Sequence, residues 1–323
     1  MQRRRPLQGG RAVARRIGLL AVALAAAFLL VPRRLAASRV AFAVGRRVLV
    51  TGAGGRTGSL VVEKLVSSGR YDVKALVRSE KSKAALLRKV PMLPDSAVFV
   101  GDVASGSGLS QAFTGVSAAI VVTSAVPKLK VWSLVPFLFG KLFGKKKKLR
   151  FSWKGGKPEQ VDWEGQKNQF DAAKEAGVKH VVLVGTMTGT QKDSFLNSIG
   201  EGDGDQIVMW KRKAEVYLVD LCKASDMEYT IVHAGGLSDD AGGQAPLAVG
   251  VDDNLREVKP NRRIPRADVA EVCVQSLESD VAKGRSFDLT SLDDGRPLTA
   301  VGLDGLLETL EGASCDYSIN PPP

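Results

Sequence analysis

Four glycines stand between an apolar run and an amphipathic run in the first quarter of the chain. Gly52, Gly54, Gly55 and Gly58 lie in VLVTGAGGRTGSLVVEKL, which spans residues 48–65. A strand that turns directly into a helix presents free backbone N–H groups and the positive end of the helix dipole. Glycine also lets a phosphate approach that backbone closely. Gly52, Gly55 and Gly58 therefore predict a turn that binds the pyrophosphate of a dinucleotide.

The residues after the second predicted strand indicate which dinucleotide would bind. An NAD site usually has an acidic residue at that point, which binds the ribose 2′-hydroxyl. This chain has ALVRS there, with Arg78 and Ser79 in place of an acid. A guanidinium can pair with a 2′-phosphate, and Arg56, beside Thr57 in the glycine turn, can contribute. The sequence favours NADP over NAD; the alternative for Arg78 is an exposed charge at the end of a strand.

Strands and helices alternate after residue 47. The predicted strands are RVLVT, DVKALVR, AVFVGD, AAIVVTSA, HVVLVGTMTG, YTIVHAGG and SFDLTS, and helical segments lie between most of them. Such alternation predicts an α/β fold with a parallel sheet covered on both faces. The Val, Ile and Leu content of the strands agrees with burial on both sides. Residues 126–157 show neither pattern and are expected to be irregular.

The net charge of +12 is concentrated in the first 47 residues. They contain eleven Arg, no Lys and no acid, which leaves 35 basic against 34 acidic side chains in the remainder. A nearly neutral body argues against nucleic-acid binding. An acid-free, Arg-rich and Ala-rich beginning is typical of a targeting presequence, here residues 1–45, with residues 46–323 as the folded part. A plastid is the expected location, and a mitochondrion or an uncleaved membrane anchor are the alternatives.

The three Cys and two His offer little further chemistry. Cys222, Cys273 and Cys315 are widely spaced and form no CxxC pattern. An odd and sparse set argues against a disulfide framework. His180 and His233 cannot form a zinc site alone, so no metal site is expected.

Several motifs, in order, resemble those of the atypical short-chain dehydrogenase/reductases, in particular the plant-type NAD(P)-binding (NmrA-like) proteins. They are VTGAGGRTG, ALVRS, GDV, VTSAVPK, PEQVDWEGQKNQFDAAKEAGVKH, VMWKRKAE, YTIVHAGGL and PRADVAEVC. The resemblance implies a Rossmann doubly wound parallel sheet with a small C-terminal substrate lobe. It also implies an NADP(H)-dependent oxidoreductase of an unidentified small substrate, or alternatively a non-catalytic NADP-binding redox sensor or scaffold.

The resemblance further implies cofactor contacts at the ends of the later strands. The set is Asp102 and Val103 for the adenine, Thr123, Ser124 and Ala125 along the cofactor, and Gly235 and Gly236 beside the nicotinamide.

The catalytic pattern departs from the wider superfamily, whose active members have a Tyr four residues before a Lys. Glu215 aligns with the acid of the catalytic helix, which puts the Lys at Lys211 and the Tyr position at Ile207. Isoleucine cannot transfer a proton. Lys211 is therefore expected to bind the nicotinamide ribose, with Thr186 or Thr188 at the Ser position. The alternative for Lys211 is a surface partner of Glu215 one helical turn away.

One long segment has an unusual composition. VWSLVPFLFGKLFGKKKKLRFSW, residues 131–153, is first aromatic and then strongly basic. Loops of this length are usually functional or disordered. A partly mobile lid over the substrate is favoured; contact with a membrane surface and a solvated loop are the alternatives.

Overall fold

The computed structural model describes residues 45–136, 139, 150–200, 204–258, 263–293 and 298–322. The predicted presequence lies outside these residues, apart from Gly45. Within the described part, no helix is long and apolar enough to cross a membrane.

One sheet of eight strands organises the described chain. Its parallel strands are β1 (Arg46–Thr51), β2 (Tyr71–Val77), β3 (Val98–Val100), β4 (Ala118–Val121), β7 (His180–Thr186), β8 (Glu228–Ala234) and β12 (Arg285–Ser291), and its eighth strand is β10 (Leu247–Gly250). The order across the sheet is β10-β12-β8-β7-β4-β1-β2-β3, and all neighbours are parallel except β10 and β12. The seven parallel strands form the body of the sheet. They are the seven strands that the sequence predicts, which confirms the doubly wound Rossmann sheet.

The remaining strands lie where the sequence predicted none. β10 (Leu247–Gly250) is the antiparallel edge of the main sheet. β9 (Gly236–Ser238) pairs with β11 (Arg263–Pro265). β5 (Val126–Leu129) pairs antiparallel with β6 (Phe151–Lys154), so the expectation of an irregular segment was wrong at both of its ends. These short segments have no continuous periodic pattern in the sequence. Pairs of side chains across neighbouring strands stabilise them as strands.

The helices cover both faces of the sheet. They are α1 (Arg56–Ser68), α2 (Glu80–Lys89), α3 (Leu109–Phe113), α4 (Gly165–Glu175), α5 (Ile207–Lys223), α6 (Leu255–Val258), α7 (Arg266–Ser276) and α8 (Leu298–Leu307). A π-helical turn, Glu159–Glu164, leads directly into α4. Such turns are rare and are often found at functional sites.

Alternate residues of β1 face two separate cores. Val48 and Val50 pack in the cluster that contains residues of α1, α7 and α8. Leu49 packs in the second cluster, with residues of α3, α4 and α5. Strand side chains alternate between faces, so a run of consecutive apolar residues satisfies both cores. This burial fixes the central strands, and their carboxyl ends carry the candidate site.

Candidate functional site

The glycine turn after β1 has little room for a side chain at Gly52, Gly55 or Gly58. Gly52 has a φ of +68°, and a Cβ there would lie 2.9 Å from the Val122 carbonyl oxygen. A Cβ on Gly58 would overlap the carbonyl oxygen of Gly52, and one on Gly55 would lie 3.1 Å from the same oxygen. The turn therefore lies directly against the residues that follow β4.

Helix α1 begins in this turn without a cap. Gly55 is its N-cap residue, no side chain bonds the cap position, and the first turn contains no acid. The first N–H groups of a helix have no intrahelical acceptor, and an anion at this end is favoured by the helix dipole. The Gly55 N–H donates to the Gly52 carbonyl oxygen at 2.9 Å. The backbone N–H groups of Arg56, Thr57 and Gly58 thus fit the pyrophosphate of a dinucleotide.

The Arg56 side chain points away to a neighbouring segment. It binds Asp239 at 2.7 Å, and Asp239 also accepts from Arg266 at 2.7 Å. A cleft of about 400 Å³ lies between residues 54–56 and residues 238–242. The pair of Arg56 with Asp239 is largely exposed, and exposed ion pairs are weak. A phosphate can therefore compete with Asp239 for this guanidinium.

Arg78 follows β2 directly and is exposed. Its guanidinium lies against Gly155, where an added Cβ would collide with it. Gly155 has a φ of +87° and follows β6. Ser79 caps helix α2 by accepting from the Ser82 N–H at 3.3 Å. The strand end thus presents a cation and a capped helix where an NAD site would place an acid.

Helix α4 holds the loop after β3. The Asn168 side chain donates to the carbonyl oxygens of Val103 (3.0 Å) and Ala104 (3.2 Å). Asp102 accepts from the Ala104 N–H at 3.0 Å, which closes a tight turn. Val103 and Ala104 are thus held by α4, and Asp102 is held by its own turn. The contact of Asp102 and Val103 with an adenine stays a prediction.

The same helical region holds the segment after β4. Gln169 donates to the Thr123 hydroxyl at 3.1 Å. The backbone N–H of Ala125 donates to Asp162, in the π-helical turn, at 3.0 Å. The Ser124 hydroxyl donates to the Ala125 carbonyl oxygen at 3.2 Å. Residues 123–125 therefore form a fixed edge beside the glycine turn.

Lys211 is buried and pairs with Asp162 at 2.7 Å. Its side chain is 8% exposed and that of Asp162 is fully buried. The alternative of a surface pair between Lys211 and Glu215 is therefore wrong. Both residues lie on the buried side of α5, but their partners come from different elements. Asp162 joins Lys211 to Ala125, so the helix and the edge after β4 are coupled.

Glu215 pairs instead with His233, which is buried in β8. The His233 Nε2 atom lies 3.1 Å from Glu215, and its Nδ1 atom lies 3.4 Å from Asp288 and 3.5 Å from the Cys315 sulfur. Burial alone lowers the pKa of His233, but the Glu215 carboxylate and Asp288 raise it well above its usual value. Burial raises the pKa of Glu215, and the facing charge of His233 outweighs it and lowers that pKa. These contacts hold the His233 ring in place among buried partners.

Within the described ranges, one group of donor atoms is close enough for a metal ion: those of His233, Asp288 and Cys315 lie within 4.8 Å of one another. Sequence spacing did not predict this grouping. Hydrogen bonding and charge attraction between a protonated His233 and the two carboxylates of Glu215 and Asp288 already explain why these side chains lie together.

The remaining predicted residues lie at the ends of β7 and β8. Thr186 ends β7 and is opposite Ala234 in the register of the sheet. The Gly235 N–H donates to the Leu289 carbonyl oxygen at 2.9 Å, and Gly236 begins β9. These positions share the carboxyl edge with the glycine turn, where open α/β sheets bind their ligands.

Ile207 is the first residue of α5 and is buried. It packs in a small cluster with Ala125, Val161 and Val208. The Tyr position of the superfamily is therefore helical here, faces apolar neighbours and has no group that transfers a proton.

The sequence interpretation missed the residues that hold the site together. Asp162, Asn168 and Gln169 all lie in PEQVDWEGQKNQFDAAKEAG, a motif of the family resemblance in which no site residue was predicted. Asp162 and Gln169 are fully buried. The sequence could have indicated them, because they are polar residues on the apolar side of a helical pattern. Such residues are buried only when they have hydrogen-bond or charge partners.

Comparison with known proteins agrees with this geometry. The family model described as NAD(P)H-binding matches residues 52–280. Sanguinarine reductase from Eschscholzia californica is 44% identical over 261 residues, which cover 77% of this chain and 90% of that protein. A chloroplastic protein of Arabidopsis thaliana is 46% identical over 249 residues, covering 77% of this chain and 70% of its own length.

The fold is also found among solved structures. A Bacillus halodurans protein named as an NAD-dependent epimerase/dehydratase has a TM-score of 0.58 at 22% identity, over 80% of this chain and 98% of that one. This likeness concerns the fold alone. Together with the bare glycine turn and the uncapped α1, the match over residues 52–280 means that this chain belongs to the NAD(P)H-binding family of Rossmann-fold proteins.

Proposed function

We propose that the protein is an oxidoreductase that uses NADP(H) in preference to NAD(H) and acts on a small molecule. The observation that carries the cofactor preference is Arg78, which stands at the end of β2 where an acid would bind an NAD ribose. Its guanidinium lies against Gly155, the residue that follows β6. The relative named sanguinarine reductase supports reductase chemistry.

Each part of the site has a role in this proposal. The turn at residues 52–58 binds the pyrophosphate through backbone N–H groups. Lys211, fixed by Asp162, donates to the hydroxyls of the nicotinamide ribose. Bound NADPH would supply a hydride to the substrate. Thr186 or a water molecule provides the proton, because Ile207 cannot.

Two measurements test the proposal. Calorimetry with NADPH and NADH reports the cofactor preference directly, and equal affinities would overturn the role of Arg78. NADPH oxidation against a panel of carbonyl and conjugated compounds reports turnover. The Gly58→Ala variant is the control: NADPH oxidation that persists in this variant does not require the cofactor turn.

A non-catalytic NADP-binding sensor or scaffold is the second candidate. The apolar cluster around Ile207 favours it, since the usual proton donor is absent and its place is filled. Tight NADPH binding without turnover of any compound would support this candidate over the first. Ile207→Tyr would then restore the phenol one turn before Lys211, and slow carbonyl reduction by this variant would show that only the acid is missing.

We further infer that the protein functions in a plastid. The support comes from the Arg-rich, acid-free residues 1–45 and from the related Arabidopsis protein, whose name includes the word chloroplastic. Fusing residues 1–45 to a fluorescent protein tests the location. Accumulation in mitochondria or at a membrane outside plastids would contradict it.

A further inference from the structure

The β5–β6 hairpin and the turn that leaves β5 carry an exposed apolar surface. Five large apolar side chains are widely exposed between residues 126 and 139. They are Val126 (48%), Val131 (70%), Trp132 (59%), Val135 (59%) and Phe139 (60%). Single exposed apolar residues are common, whereas a group of them marks an interaction site. This group is called the hairpin patch below.

The same segment is the most basic part of the folded chain. Residues 126–154 contain nine Lys and Arg and no acid, while the rest of residues 48–323 contains 26 basic and 34 acidic side chains. A positive segment on an otherwise acidic body is complementary to an anionic surface. Apolar and aromatic side chains mixed with cations are typical of protein surfaces that bind the interface of a membrane.

The hairpin register separates an inner from an outer face. Side chains alternate across a strand, and the pairs Val126 with Lys154 and Lys128 with Ser152 alternate with the pair Pro127 with Trp153. The Trp153 side chain packs towards the Ile207 cluster, and its ring nitrogen donates to Asp205 at 2.6 Å. The cations at 128 and 154 therefore lie on the outer face, on which Val126 is also exposed.

Hydrogen bonds of the buried Ser133 fix the turn that presents Trp132. Ser133 is 1% exposed; its hydroxyl donates to the Lys130 carbonyl oxygen at 2.7 Å and accepts from the Arg150 N–H at 3.0 Å. The Arg150 guanidinium lies 5.3 Å from the centre of the Trp132 ring. A tryptophan and an arginine are thus held side by side at the surface, where each can reach a different depth of a lipid interface.

We propose that the hairpin patch binds the surface of an anionic lipid bilayer. Trp132, Val131 and Val135 enter the interface, and Lys128, Arg150 and Lys154 bind the headgroup phosphates. A membrane is favoured over a symmetric dimer through this face because two copies of the basic patch that face each other would repel. The hairpin joins the residues after β4 to Gly155, which touches Arg78, so binding would hold the candidate site close to the bilayer.

The first experiment measures sedimentation of the full chain with vesicles. Phosphatidylcholine vesicles are compared with vesicles that also contain phosphatidylglycerol, at low and at high salt. Each basic residue near an anionic surface contributes about fivefold in binding. The triple variant Lys128→Glu, Arg150→Glu, Lys154→Glu is therefore expected to bind anionic vesicles at least about a hundredfold more weakly.

A matched variant controls for the loss of net charge. Lys81→Glu, Arg88→Glu and Lys174→Glu change three exposed cations on α2 and α4 and alter the net charge equally. This control is expected to keep most of the binding, and cooperative thermal unfolding shows that both variants fold. Equal binding by the two triple variants would overturn the proposal. Self-association that the hairpin triple variant abolishes, in the absence of vesicles, would assign the patch to a second copy instead.

The second experiment locates Trp132. Vesicles with brominated acyl chains quench tryptophans that enter the interface. Quenching of the wild type is expected to disappear in Trp132→Phe and to persist in Trp210→Phe. Quenching that is unchanged in Trp132→Phe would show that another part of the chain, such as the Arg-rich residues 1–45, makes the contact, and it would overturn the proposal.

Discussion

The turn at residues 52–58 and the group around Lys211 both lie at the carboxyl edge of the central strands, yet their polar groups differ. In the turn, glycines leave the backbone without side chains, and no side chain caps the first backbone N–H groups of α1. Around Lys211 the polar groups are buried charges with partners: Lys211 with Asp162, and Glu215 with His233.

The two regions fit different parts of a dinucleotide. A pyrophosphate brings its own charge, so a site for it requires open backbone and space. A ribose is neutral and requires donors at fixed positions, and a buried ion pair keeps a lysine in one position. The comparison predicts that the two regions respond differently to substitution. Changes near Lys211 should lower stability first, and changes near the turn should lower cofactor affinity first.

The largest effect is expected for Lys211→Met. Removing one partner of a buried ion pair costs about 3–5 kcal/mol of folding free energy, because the other charge stays buried alone. Urea denaturation of the cofactor-free protein measures this loss. The variant with both Lys211→Met and Asp162→Asn should regain most of the stability, since Asn can still accept from the Ala125 N–H, while NADPH affinity stays weakened. If this double variant binds NADPH as tightly as the wild type, Lys211 has no role in cofactor binding.

Arg78→Asp is expected to change cofactor choice with little change in stability. Loss of a charge-assisted hydrogen bond costs about 1.5–3 kcal/mol, so the preference for NADPH over NADH should disappear or reverse. Isothermal calorimetry with both cofactors measures this difference. Arg88→Asp, on the exposed side of α2, is the matched charge control. A preference that survives in Arg78→Asp would place the 2′-phosphate elsewhere.

Gly58→Ala tests whether the turn depends on missing side chains. The new Cβ meets the Gly52 carbonyl oxygen, so the turn must move, and overpacking of this kind costs about 1–3 kcal/mol. NADPH affinity should fall more than thermal stability does. Gly305→Ala is the control, because its Cβ would make only an ordinary contact of 3.9 Å with Val301. Unchanged NADPH affinity in Gly58→Ala would contradict a phosphate site formed by bare backbone.

The two buried histidines extend the comparison to pH. Burial, with the nearby charges of Arg46 and Lys283, lowers the pKa of His180 to about 4. The unfolded chain then binds more protons than the folded one below the usual histidine pKa, so His180 lowers stability by about 1–2 kcal/mol on going from pH 7 to about pH 5. His233 has the opposite sign: its pKa is raised, so its stabilisation is complete below the usual histidine pKa and is lost as the pH rises through the raised value.

Denaturation of His180→Gln and of the wild type at several pH values measures this effect. The variant should lose less stability than the wild type on acidification. A parallel loss in both proteins would mean that His180 is not the group responsible.

Local sequence determined the seven parallel strands and the glycine turn. Val48, Leu49 and Val50 are apolar at consecutive positions because both faces of β1 are covered, and this pattern does not depend on which helices cover them. The absence of a side chain at Gly58 is a local property as well. Arg78 follows β2 immediately, so its place at the strand end could be predicted, whereas its contact with Gly155 could not.

Only the tertiary structure decided the partners of the buried charges. Lys211 and Glu215 are one turn apart on α5 and their spacing suggested a pair, but each faces a different element: the π-helical turn before α4 for Lys211, and β8 for Glu215. Burial also determines which pairing is stable, since a buried charge requires a partner at short range. The sign of the pKa shift of each histidine depends in the same way on which acids the fold brings near it, and those acids are distant in sequence.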